Sequence, residues 1–135
     1  MADLCFWLYL ANSVLLIIHE IDSAYWKEWN LFGRLFGSGP DGRKLGLFLA
    51  LHVPMLLLVQ WGLVETFRGS FRGLVLSLAL GGAGVFAFAV HTYFLKKGRP
   101  EFKAPVSIAL LVVMLPVSLA QIAAAAWALA GGAGN

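Results

Sequence analysis

Four stretches of this chain, roughly residues 4–26, 45–66, 73–96 and 105–130, are continuously apolar over about the length that crosses a bilayer. A helix needs about 20 such residues to span the hydrocarbon, because each adds only 1.5 Å. The helix is also the form in which a lone segment satisfies its own backbone N–H and C=O groups in lipid. The four stretches occupy most of the 135 residues and leave no room for a soluble domain. Only 13% of the residues are charged, about half the share in soluble domains, and 60% are hydrophobic. The runs are continuous rather than alternating, which argues against a β-barrel. The expected fold is all-α: one transmembrane domain, residues 1–135, forming an up-down-up-down four-helix bundle.

The N-terminal run lacks the basic flank of a signal peptide, since Asp3 is its only charged side chain before Glu20. No small-residue cleavage site follows it, so it reads as a retained first span. Cys5 is the single cysteine, which rules out an internal disulfide and leaves no partner for a thiolate metal site. Lys27, Arg34, Arg43 and Lys44 fall in the first loop, and Lys96, Lys97, Arg99 and Lys103 in the third. The second loop holds Arg68 and Arg72 alone. This bias predicts a multi-pass protein of the cell (inner) membrane, with loops one and three cytoplasmic and both termini outside. The pI near 9.3 comes from these anchors. No basic domain exists, so nucleic acid is not an expected partner.

The first run loses its uninterrupted apolar character after Ile18, so to span it must carry His19, Glu20 and Asp22 into the membrane or its cytoplasmic interface. Tyr25, Trp26 and Trp29 would form an aromatic belt there, while Trp7, Trp61 and Trp127 read as interface anchors elsewhere. Gly33, Gly37, Gly39, Pro40, Asp41 and Gly42 break the chain, and Leu31, Phe32, Leu35 and Phe36 are expected to form a short interfacial helix before that break. Pro54 and Pro116 lie inside later runs, where neighbouring groups can satisfy the freed carbonyls. Gly81, Gly82 and Gly84 let a neighbouring backbone approach closely.

One histidine falls in each of the first three runs. His19 lies seven residues before Trp26, His52 seven after Leu45 and His91 five before Lys96. Alternating helix direction then puts all three in the cytoplasmic half, about 7 to 10 Å inside their helix ends at 1.5 Å per residue. Asn12, His19 and Trp26 share a helical stripe, with Asp22 about 60° away and Glu20 about 100° away. Asn12, Gln60 and Gln121 fall at similar depth and predict a second polar layer along a substrate or polar pathway. Their structural reading is helix-to-helix hydrogen bonding.

Ionisable groups within a membrane are costly and usually mark function. Three histidines with an open position suit catalytic zinc, whereas two histidines and a carboxylate suit non-haem iron. The expected metal ligands are therefore His19, His52 and His91. Glu20 or Asp22 would act as catalytic base, orient a histidine or complete the ligand set. This reading is a metal-dependent membrane enzyme acting on a lipid-like substrate from the bilayer. A second reading uses the same groups as titrating sites of a small oligomeric carrier or proton-linked translocation unit. In a third, the chain is an accessory subunit of a larger membrane complex and the histidines fix helix register, at about 0.6 kcal/mol per interhelical hydrogen bond.

The segment His19-Glu20-Ile21-Asp22-Ser23-Ala24-Tyr25-Trp26-Lys27-Glu28-Trp29, with His52-Val53-Pro54 after it, resembles small bacterial membrane families in which a His-acidic motif ends the first helix. The loosest named relative is the HXXEE-type domain of unknown function. Asp22 and Ser23 depart from that motif, since Asp22 stands for its first Glu and Ser23 for its second. The likeness covers about the first half of the chain. It implies a four-helix membrane protein and brings no activity or cofactor.

Overall fold

The computed structural model describes residues 2–31, 39–99 and 103–132, and among these it contains helices and no strand. The helices are α1 (Ala2–Tyr25), α2 (Asp41–Phe67), α3 (Phe71–Lys96) and α4 (Pro105–Gly132), with one 3-10 turn (Glu28–Asn30) after α1. All four are long and apolar enough to cross a membrane. Large apolar side chains such as Leu57, Phe67, Phe86 and Val106 point outward with more than half their surface exposed. In water such a surface would aggregate, whereas in lipid it costs nothing. Of the expected interfacial helix, only Leu31 is described; Phe32, Leu35 and Phe36 lie outside the described residues.

The helices pack in ring order. α3 lies against α2 and α4, and α1 against α2 and α4 with a lighter contact to α3. Along α1 a buried stripe runs through Cys5, Tyr9, Asn12, Leu16, His19 and Ser23, with Ser13 buried beside it. The stripe's alternating spacings of four and three keep one seam facing the bundle. Most of this seam is small or polar, so α1 is held by hydrogen bonds as well as by packing. The Tyr9 hydroxyl donates to the Val59 carbonyl on α2 at 3.0 Å. Gly62 makes room for it, since a Cβ there would collide with the Tyr9 ring and hydroxyl.

The connection between α2 and α3 is tight. Ser70 caps α3 by accepting from the Gly73 N–H at 3.0 Å, and its own hydroxyl donates to Glu65 at 2.7 Å. Arg68 donates to the other oxygen of Glu65 at 3.0 Å. Thr66 donates back to the Gly62 carbonyl at 2.7 Å. Trp7, Trp61 and Trp127 are exposed at this end of the bundle, as membrane-interface anchors would be.

Candidate functional site

At the opposite end, α1 stops in an unusual way. Lys27 adopts the left-handed conformation, with φ 56° and ψ 47°, which is uncommon for a residue with a side chain. This single turn breaks the helix and folds the 3-10 segment back over the bundle end. Glu28 and Trp29 are buried as a result. The exposed Lys27 ammonium bonds Asp41 at 2.7 Å, tying the reversal to the start of α2.

The reversal brings a carboxylate to two of the predicted histidines. His19 on α1 and His91 on α3 meet edge to face, with ring centroids 4.7 Å apart. Glu28 Oε2 lies 3.6 Å from His91 Nε2. Ligand atoms of His19, Glu28 and His91 all fall within 4.8 Å of one another, and all three residues are buried. Metal–ligand bonds of about 2.1 Å at tetrahedral angles place donor atoms about 3.4 Å apart. The His91–Glu28 spacing is already close to that value, and the His19 donor lies within 4.8 Å of both.

His52 does not join this group. Its Nδ1 lies 2.6 Å from the Phe48 carbonyl one turn earlier, and its Nε2 lies 2.6 Å from Glu20 Oε2. A carbonyl oxygen can only accept, so Nδ1 carries a proton and donates. Nε2 and the Glu20 carboxylate then share one further proton, as an imidazolium–carboxylate or a neutral pair. Both ring nitrogens are occupied, which leaves no lone pair for a metal. Glu20, predicted beside the ligands as a base, is thus the partner of His52. Asp22 is half-buried and stays outside the group of three.

The deeper polar layer forms from two of its three predicted members. Asn12 donates to Gln121 at 2.7 Å, Gln121 donates to the Ser77 carbonyl and hydroxyl at 3.0 Å, and Ser118 donates to Asn12 at 3.3 Å. These groups are buried on α1, α3 and α4. They satisfy one another, so they hold helices together rather than line a path. Gln60 is exposed on α2 instead. Its neighbour Val59 takes the inward position, and one residue of helix turns the next side chain about 100° away. Replacing Gln121 with Leu should leave Asn12 and Ser77 short of partners. We expect a loss of about 1–2 kcal/mol, read as a lower unfolding midpoint in a detergent titration.

The two histidine groups sit at one end of a single cavity of about 500 Å³ between α1, α2 and α3. Its polar end comprises His19, Glu20, Glu28, Trp29, His52 and His91. The rest of the wall is apolar and reaches to Tyr9, Val59 and Leu76. Glu28 and Trp29 are the site residues the sequence reading did not select. On a helix continued from α1, Glu28 at nine residues past His19 would face about 180° away. Only the backbone reversal at Lys27 swings it inward.

Residues 5–127 match a family model described as a family of unknown function (DUF6713). The match covers nearly the whole chain. No curated protein and no solved structure matches.

Proposed function

We propose a metal-dependent function for this chain, which belongs to the DUF6713 family by a match that brings no activity with it. The proposed centre consists of His19, His91 and Glu28, and the proposed function is that of a membrane enzyme acting on a lipid-like substrate. The observation that carries the reading is three buried ligand side chains within 4.8 Å of one another at the polar end of an otherwise apolar cavity.

Two histidines and a glutamate match the donor sets of both hydrolytic zinc and non-haem iron. A metal held by these residues would supply Lewis-acid or redox chemistry at the polar end of the cavity. The chain's own residues do the remaining work. The apolar wall excludes bulk water, and the His52–Glu20 pair across the cavity holds a proton that it can give or take. The basic residues of the first and third loops support a cytoplasmic orientation for this end.

Elemental analysis of protein purified without a metal-affinity tag tests the reading. About one zinc or iron per chain is expected, lost on dialysis against a chelator. Metal below a tenth of the protein, with none taken up on titration, would reject it. The shared proton of His52 and Glu20 favours a second reading, a proton-linked carrier. It predicts a pH-driven flux in proteoliposomes that Glu20→Gln abolishes.

A further inference from the structure

We infer that the cavity takes a long single-chain acyl amphiphile, such as a fatty acid or its ester, which enters sideways from the bilayer between α2 and α3. The inference names the substrate class of the centre proposed above and rests on that reading for its chemistry, though not for its binding. Four observations support it.

The first is the route. Leu51 and Leu58 on α2 and Ala79, Ala83 and Phe86 on α3 line the cavity and are also exposed at the protein surface. Those exposed positions face where lipid tails would lie, so an apolar chain can pass without crossing water. α4 contributes nothing to the lining.

The second is shape. Ala79, Ala83 and Ala87 recur every fourth residue on one side of α3 and leave a smooth track. Leu76 to His91 marks the length of the lining on that helix, 15 residues or about 22 Å at 1.5 Å per residue. This exceeds half of a hydrocarbon core of about 30 Å. A long alkyl chain fits such a track, and a volume of about 500 Å³ is at the small end of the range for drug-sized ligands.

The third is polarity. The lining changes from Tyr9, Leu16, Val59 and Leu76 at one end to imidazoles and carboxylates at the other. A molecule that matches it must have one long apolar part and one compact polar head. A purely hydrocarbon ligand would leave the polar end unmatched, and a sugar or nucleotide would leave the apolar end wet.

The fourth is a hydrogen bond waiting for an acceptor. Trp29 lines the polar end and is 3% exposed, yet its indole N–H has no partner among the described residues. An indole nitrogen can only donate. A buried donor left unmatched is disfavoured, so the ligand head should bring an oxygen acceptor, as an acyl carbonyl or carboxylate does.

The test uses the full chain in nanodiscs with a palmitate analogue bearing a diazirine in its chain. Irradiation should label Ala79–Phe86 and the facing residues of α2, and unlabelled palmitate should compete. Ala83→Trp, which fills the track without touching a proposed metal ligand, should reduce labelling at least tenfold while metal content stays unchanged. Ala79→Phe serves the same purpose if the first variant does not fold. Trp29→Phe should weaken competition by palmitate about tenfold, the worth of one hydrogen bond. Labelling spread evenly over lipid-facing positions such as Val112 and Val113, uncompeted and indifferent to Ala83→Trp, would overturn the inference. Competed labelling in a protein that holds no metal would sustain the acyl site and reject the metal centre instead. Full metal with no competed labelling would do the reverse.

Discussion

Replacing His91 with Ala is expected to weaken metal binding by on the order of 100-fold or more, and His19→Ala and Glu28→Gln should do the same, whereas His52→Ala should leave the metal in place. The contrast follows from what each side chain already does. His19, Glu28 and His91 bring donor atoms within 4.8 Å of one another. If they hold a metal as proposed, loss of one from the set of three would remove a direct bond, which costs more than the 10- to 100-fold typical of residues that merely support a ligand. His52 has spent both nitrogens on the Phe48 carbonyl and on Glu20. Its removal should therefore touch the proton pair and spare the centre. Titration of each purified variant with zinc or ferrous iron, read by competition against a coloured chelator, checks all four. If His52→Ala strips the metal as thoroughly as His91→Ala, the ligand set drawn from the geometry is wrong.

The proposed centre should carry a pH dependence. An imidazole must be neutral to give its lone pair to a metal, so protons compete with the metal for His19 and His91. Binding should be full at alkaline pH and fall once the pH is low enough for protons to take the imidazole nitrogens. Because two histidines are involved, affinity should fall by up to about 100-fold per pH unit once both can protonate. Thermal stability with metal present should follow the same curve, since a ligand that binds only the folded state stabilises it by mass action.

The architecture was legible in the sequence because it follows from hydropathy and length, which need no knowledge of neighbours. The level of the site was legible for the same reason: depth follows from counting residues along helices whose direction alternates. His19 and His91 came together as that counting implied. Two other matters depended on local geometry that a periodic pattern does not encode. Glu28 reaches the site only because Lys27 turns left-handed, and lysine carries no sequence signal for that conformation. His52 is at the right depth, but an intrahelical carbonyl and Glu20 claim its ring first. Gln60 shows the limit in azimuth: equal depth says nothing about which way a side chain faces until a neighbour such as Tyr9 fixes the rotation of α2.

Gly73→Ala should be the most damaging of the single-methyl changes, lowering stability by roughly 3 kcal/mol or more, while Gly82→Ala should be neutral or slightly stabilising. At Gly73 an added Cβ would lie 2.5 Å from the Glu65 carbonyl carbon and the Thr66 nitrogen. Those are backbone atoms in the last turn of α2, and they cannot rotate aside as a side chain could. Overpacking alone costs about 1–3 kcal/mol. Here the displacement also pulls Ser70 from Gly73 and Glu65, so the cap of α3 and the buried carboxylate lose partners together. At Gly82 nothing lies within 4 Å, and alanine is the better helix former by roughly 0.5–1 kcal/mol. Thermal unfolding in one detergent, followed by helical circular dichroism, should separate the two variants by on the order of 10 °C. A Gly73→Ala protein that melts with the parent would mean that α2 and α3 do not pack this closely. It would also cast doubt on the wall they form together around the acyl track, because both rest on the same helix pair.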